Sequence, residues 1–308
     1  MKKFIVIILG SLLVIGGLTW LITTKSPITT SDQVQIVTTL YPITYLTEEL
    51  SAGTAEVTQI IPAGVEAHHF EPRPADIALL NNADIFIYTG DFMETWVADT
   101  IKGLDNPDLI IVRAADNTKV LGETGTPYSD MGHIDPHVWL DFDNTKVMAG
   151  NIAQALRDRT PDQSASINGR LNIINDKLDD LNKNYSEQLT KCTNRTIIFA
   201  GHYTFGYLAN KYSLNYQAAQ GLSPDKEPTA EEMIALIEQI KGDNIKYVFY
   251  EELTSPKIAE TLARETGAQL LELNSAHNLT KEQLANGQTF FTIMTKNLDN
   301  IQAGLSCH

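Results

Sequence analysis

Four histidines in this 308-residue sequence follow apolar segments that have the composition of short β-strands. Loops at the carboxyl ends of parallel strands are where open α/β sheets bind ligands, so these side chains can share one site. Several imidazoles without a paired serine or cysteine nucleophile suit a divalent metal of intermediate softness, above all zinc. The sequence therefore predicts a metal site formed by His68, His137, His202 and His277.

The immediate neighbours of two of these histidines bear on their roles. His68 adjoins His69 in the segment "GVEAHHFEPRP". Adjacent side chains in extended backbone point in opposite directions, so we expect only one ligand from this pair. His137 belongs to "HIDPHVWLD", in which Asp135 or Asp141 can orient the imidazole from behind.

A second pair of carboxylates ends the strand-like segment "KYVFYEE". Glu251 or Glu252 can support the imidazole of His202 or His277 in the same way. As a catalytic pair these glutamates lack a partner motif, so we favour the supporting role.

The elements that position these residues form an alternating pattern. Apolar β-rich runs alternate with helical patterns over residues 34–114 and again over 195–274, which predicts parallel sheets flanked by helices. The intervening residues are almost all helix formers, interrupted near "RTPDQS". We predict an α/β fold of two similar lobes, each a mainly parallel sheet with flanking helices, joined by one long connecting helix. The predicted divisions are an N-terminal segment at 1–30, lobes at 31–142 and 191–308, and a helical connector at 143–190.

The N-terminus has the pattern of an export signal. "MKK" precedes the uncharged segment "FIVIILGSLLVIGGLTWLI" at residues 4–22, which as a helix would span about 28 Å. No A-x-A pattern follows it, so we favour an uncleaved signal anchor over a cleaved signal peptide. In both cases the chain from residue 31 onward lies outside the cytoplasm.

Charge and cysteine content narrow the class of protein. The net charge of −15, without a visible basic face, argues against nucleic acid as a partner. An oxidising compartment permits a disulfide between Cys192 and Cys307, the only cysteines, and two free buried thiols are the alternative.

Several segments together resemble the zinc and manganese solute-binding proteins of bacterial ABC importers. The matching segments are "PAGVEAHHFEPRPAD", "DPHVWLD", "AGHYTFGYLANKYSL", "LSPDKEPTAEEM" and "YEELTSPKIAETLARETGAQ". The resemblance extends from about residue 34 to 305. It implies a metal site in the cleft between two lobes and a permease subunit as partner. We also expect a monomer that its N-terminal segment tethers to the membrane.

The resemblance also implies individual ligands. His68, His137 and His202 match the first three ligands of the family, whereas Asn274 stands where the family often has an aspartate. We predict His277 as the substitute fourth ligand, with Glu66 or water as alternatives. Three or four imidazoles favour Zn²⁺ over Mn²⁺ or Fe²⁺, which prefer more oxygen ligands.

Other functions fit parts of the same pattern. A zinc hydrolase would also use three histidines with an open coordination position, but the sequence has no H-E-x-x-H motif. A surface adhesin or sensor would use the fold without a permease. We expect a transport component and not an enzyme.

Overall fold

The computed structural model describes residues 33–122, 134–224, 227–251, 253 and 255–307. The predicted signal segment at 4–22 and Glu252 lie outside these residues. From Val34 onward the chain forms one compact unit that contains both lobes. Across the described ranges, none of the helices combines the length and apolar character needed to cross a membrane.

The N-terminal lobe is built on four parallel strands in the order β2-β1-β3-β4. The continuous apolar run in β3 is buried along its whole length, as expected for a strand with helices on both faces. In chain order the elements are β1 (Val34–Thr38), α1 (Tyr41–Ser51), β2 (Ala55–Gln59), α2 (Pro74–Asn81), β3 (Ile85–Tyr88), α3 (Val97–Lys102) and β4 (Ile110–Arg113).

Two antiparallel helices follow this lobe, after a short 3₁₀ turn at Val138–Leu140. They are α4 (Phe142–Arg159) and α5 (Ser164–Leu189), separated by a 3₁₀ turn that begins at Pro161. Helix α5 contacts both lobes. Its Arg170 donates a hydrogen bond to the carbonyl of Leu50 in α1 (3.2 Å), and its Tyr185 hydroxyl donates to the carbonyl of Met294 (2.6 Å).

The C-terminal lobe repeats the same topology, with four parallel strands in the order β6-β5-β7-β8. Its last helix packs against β8 and α5. The elements are β5 (Thr196–Ala200), α6 (Gly206–Lys211), β6 (Asn215–Ala218), α7 (Ala230–Gly242), β7 (Tyr247–Glu251), α8 (Lys257–Thr266), β8 (Gln269–Leu273), α9 (Lys281–Ala285) and α10 (Phe290–Leu305).

The predicted architecture is confirmed: two parallel α/β lobes with flanking helices are linked by the long helix α5. The "RTPDQS" interruption turns the chain back on itself, because Pro161 cannot continue the hydrogen-bonding pattern of α4. Cys192, just after α5, forms a disulfide with Cys307, just after α10. This bridge lies at the amino end of β5, opposite the end that carries His202.

Candidate metal centre

Three of the predicted histidines meet between the carboxyl ends of the two sheets. His68 lies in the loop after β2, His137 in the segment after β4, and His202 two residues after β5. Their ligand atoms all lie within 4.8 Å of one another, and His137 and His202 are completely buried. The two lobes therefore contribute jointly to one histidine cluster.

The spacing of the imidazole nitrogens suits zinc. Nε2 of His137 and Nε2 of His202 are 3.2 Å apart. In a tetrahedral zinc site with bonds of 2.0–2.1 Å, two nitrogen ligands stand about 3.3–3.4 Å apart. Nε2 of His68 is buried and, within the described part of the chain, has no hydrogen-bond partner. A cation that all three nitrogens share would satisfy them.

Two buried carboxylates fix the outer nitrogens of the fully buried pair. Asp135 Oδ1 lies 2.8 Å from Nδ1 of His137 and accepts a second hydrogen bond from its backbone N–H (3.0 Å). Glu251 Oε2 lies 2.8 Å from Nδ1 of His202. Protonation of each Nδ1 leaves each Nε2 lone pair directed into the cluster, which is the arrangement found behind metal-binding histidines.

Two glycines provide the space that these carboxylates occupy. A Cβ atom on Gly201 would stand 2.8 Å from Oε2 of Glu251, and one on Gly206 would stand 2.6 Å from Oδ2 of Asp135. The backbone of Gly201 needs no left-handed conformation, so the close approach of Glu251 and of the Phe199 ring, whose Cε1 would stand 2.7 Å from the added Cβ, is what requires glycine there.

His277 lies beside this cluster on the loop after β8. Its ring is 6.1 Å from that of His202, and it is not part of the set whose ligand atoms lie within 4.8 Å. Nδ1 of His277 bonds to the hydroxyl of Ser275. Nε2 is buried and unpaired among the described residues, so it is available to a metal.

Asn274 supports this loop and does not face the cluster with a free oxygen. Its Oδ1 accepts a hydrogen bond from the backbone N–H of Ala276 (2.8 Å), which closes a turn in which Ala276 has a φ of 57°. The indole of Trp139 donates to the carbonyl of Ser275 (2.8 Å) and anchors the loop to the segment that carries His137. The segment "LNSAHN" thus forms a turn that is held by these hydrogen bonds and that positions His277 beside the cluster.

Asn278 holds the loop of His277 against the loop of His68, a role that the sequence analysis did not predict. Its amide nitrogen donates to the carbonyls of Pro62 and Val65 (both 2.8 Å), and its oxygen accepts from Gln59 (3.0 Å). These bonds tie the loop of His277 to the loop of His68 across the two lobes. A polar residue directly after a predicted ligand was the only signal, and it does not identify a partner 216 residues away.

Burial keeps the imidazoles of His68, His137 and His277 neutral. It lowers the pKa of His137 and of His68 far below the ordinary value, with further lowering by the neighbouring histidines. The pKa of His277 falls to about 4, again chiefly through burial. Metal binding requires the deprotonated ring, so at neutral pH these three rings need not release a proton first.

The pKa values of the two supporting carboxylates are shifted in opposite directions. Burial raises the pKa of Asp135 to about 8, despite the hydrogen bond from the backbone of His137. The pKa of Glu251 is lowered, because attraction to His202 and its hydrogen bond outweigh the burial that acts in the opposite direction. A bound dication would favour the charged form of both carboxylates.

Removing the support behind His202 is expected to weaken metal binding without abolishing it. Glu251→Ala should lower zinc affinity about 100-fold and Glu251→Gln about tenfold, since glutamine keeps an acceptor but loses the charge. Competition titration against a chromogenic chelator measures both. Glu260→Gln, on the exposed face of α8, is the charge-matched control and should leave affinity unchanged. Equal affinities for all the variants would contradict this role of Glu251.

Comparison with known proteins gives a consistent result. The family model described as "Zinc-uptake complex component A periplasmic" matches residues 36–304. Zinc-binding protein AdcA of Streptococcus pyogenes serotype M18 is 32% identical, over 98% of this chain and 61% of the relative. High-affinity zinc uptake system protein ZnuA of Bacillus subtilis is 33% identical, over 89% of this chain and 88% of the relative.

A solved structure shares the fold. The Zn(II)-bound ZnuA-like domain of Streptococcus pneumoniae AdcA superimposes with a TM-score of 0.77 at 32% identity, over 89% of this chain and 99% of that domain. The chain spans only 61% of the length of the AdcA relative, so that protein is longer than the similar region.

Proposed function

This chain belongs to the zinc-uptake complex component A family, and on that premise we propose that it captures Zn²⁺ and delivers it to an ABC-type importer. The observation that carries the proposal is the buried convergence of three imidazoles, two of them held from behind by carboxylates. A permease subunit of the importer is the proposed partner, and the metal is cargo. No catalytic step is assigned to this site.

The proposed ligands are His68, His137 and His202, with His277 as the fourth. The unpaired Nε2 of His277 supports this choice, and Asn274 is less suited because its oxygen already serves the backbone. A site of nitrogen donors favours Zn²⁺ over Mn²⁺ and Fe²⁺, both by ligand type and by the order of divalent affinities.

The location outside the cytoplasm follows from the same proposal. The segment at 4–22 would serve as signal anchor or cleaved signal peptide, and the chain beyond it would act as a monomer. The Cys192–Cys307 disulfide suits an oxidising compartment. The division into lobes at 31–142 and 191–308 with a connector at 143–190 belongs to this proposal too.

The decisive experiment compares the two adjacent histidines. Purified wild-type protein should bind one zinc ion per chain, by elemental analysis and competition titration. His68→Ala should lower the affinity about 100-fold, the share of one ligand in a four-ligand zinc site. His69→Ala should bind zinc at equilibrium as the wild type does, because its side chain is 47% exposed at the edge of the cluster.

Weakened zinc binding by His69→Ala, together with wild-type binding by His68→Ala, would overturn the ligand assignment. Stoichiometric manganese binding at an affinity equal to that for zinc would overturn the choice of metal. A zinc ion with an open, water-filled position and hydrolytic turnover of a test ester would favour a hydrolase.

A further inference from the structure

Glu66 is a buried carboxylate that lies between two imidazoles. Its Oε1 is 4.0 Å from Nε2 of His277, and its Oε2 is 3.9 Å from Nε2 of His69. Both carboxylate oxygens are inaccessible to solvent and have no hydrogen-bond partner among the described residues. A buried carboxylate without hydrogen bonds is costly, so this placement calls for a cation.

The gaps on both sides of Glu66 have the width of a bound metal ion. Zinc bonds to imidazole nitrogen and carboxylate oxygen are about 2.0–2.2 Å long. Two donor atoms 3.9–4.0 Å apart can therefore hold one ion between them with little movement. The two gaps lie on opposite oxygens of the same carboxylate, so together they form a chain of donors from His69 to His277.

Solvent exposure decreases along this series of donors. The side chain of His69 is 47% exposed and that of Glu66 is 25% exposed, whereas that of His277 is only 1% exposed. The donors thus lead from the surface to the buried histidine cluster. Beyond His277, the ring of His202 follows at 6.1 Å.

Charge makes Glu66 suited to capture. The cluster itself offers imidazoles, and a neutral imidazole binds zinc strongly at contact but does not attract a dication through solvent. The carboxylate of Glu66, which lies just inside the exposed His69, supplies that attraction. Clefts lined by one sign of charge raise association rates by about 10- to 1000-fold. Once inside, the ion meets nitrogen donors, which zinc prefers to a lone carboxylate.

We propose that His69 and Glu66 form an outer station that takes up Zn²⁺ and passes it through His277 into the histidine cluster. This inference rests on the proposed function, since it concerns the route to the same site. The outer station is occupied in transit and not at rest. Its loss therefore slows association and does not speed dissociation.

Stopped-flow kinetics with zinc ion and a fluorescent zinc indicator separate the two rates. Glu66→Gln should lower the association rate constant at least about tenfold, with a dissociation rate no higher than that of the wild type. Glu71→Gln is the matched control, because it removes one negative charge from an exposed position in the same loop. It should change the association rate by less than about twofold.

His69→Ala tests the outer end of the route. It should slow association by several-fold, and the double variant with Glu66→Gln should be no slower than Glu66→Gln alone, since both residues serve one path. Fully additive effects would overturn the shared route. Melting curves of the metal-free variants verify that each is folded.

Two further outcomes would overturn the proposal. A tenfold faster dissociation in Glu66→Gln would make Glu66 a resident ligand, and rates equal to those of Glu71→Gln would give it no role. Both leave the proposed function intact. Failure of the wild-type protein to bind one zinc ion would instead defeat the proposed function itself.

Discussion

Replacing His202 by alanine is expected to lower zinc affinity by a factor of roughly 10² to 10³. Zinc binding in four-ligand sites is worth about 10–16 kcal/mol, so one ligand carries about 2.5–4 kcal/mol. His202 should lie at the upper end of this range, because it is completely buried and no solvent molecule can easily replace its Nε2. The change also leaves Glu251 buried without the imidazole that it bonds.

Zinc-dependent thermal stabilisation measures this effect independently of any indicator. A ligand at 100 times its dissociation constant stabilises the folded state by about 2.7 kcal/mol. At a zinc concentration that gives this shift in the wild type, His202→Ala should show only a small shift. His137→Ala should behave alike, and His69→Ala should retain the full shift. A full shift in His202→Ala would exclude His202 as a ligand.

The fold was predictable because its signals are local. "VQIVTTL" predicts a strand at 34–40, and β1 covers Val34–Thr38. The helical spacing of apolar residues predicts a helix at 164–189, and α5 has the same limits. Buried parallel strands and amphipathic helices leave distinct periodicities, so each element can be found without knowledge of its neighbours.

The convergence of the histidines was predictable for a different reason. Strand ends determine where a loop begins, and parallel pairing gathers the carboxyl ends of the strands at one edge of each sheet. The sequence could therefore indicate that His68, His137 and His202 meet. It could not give the distance of His277 from them, because that distance depends on a turn stabilised by Asn274 and Ser275.

The individual side-chain contacts between the lobes could not be predicted from the sequence. The carboxylate of Glu66 and the amide of Asn278 both act across the cleft, on residues more than 200 positions away. Side-chain direction at such positions follows from how the lobes pack. The same holds for Gly201, whose small size matters in part because Glu251 approaches it from another strand.

Removal of the disulfide is expected to destabilise the fold by about 3–5 kcal/mol while zinc affinity stays the same. Cys192 and Cys307 are 115 residues apart, and a loop of about 100 residues corresponds to roughly 4.7 kcal/mol of lost chain entropy in the unfolded state. The bridge also holds the end of α10, where Asn194 donates to the carbonyl of Leu305 (3.2 Å). Loss of that anchor would add to the effect.

Urea unfolding of the metal-free Cys192→Ser/Cys307→Ser variant against the oxidised wild type measures the loss. The variant also removes the complication of free thiols, and the reduced wild type serves as a second reference. Zinc affinity should be unchanged because the disulfide lies at the amino end of β5, whereas His202 follows its carboxyl end, about 15 Å away along the strand. An unchanged unfolding midpoint would show that hydrogen bonds and packing alone hold α10. A large fall in zinc affinity would show that the end of α10 controls the distant site through the C-terminal sheet.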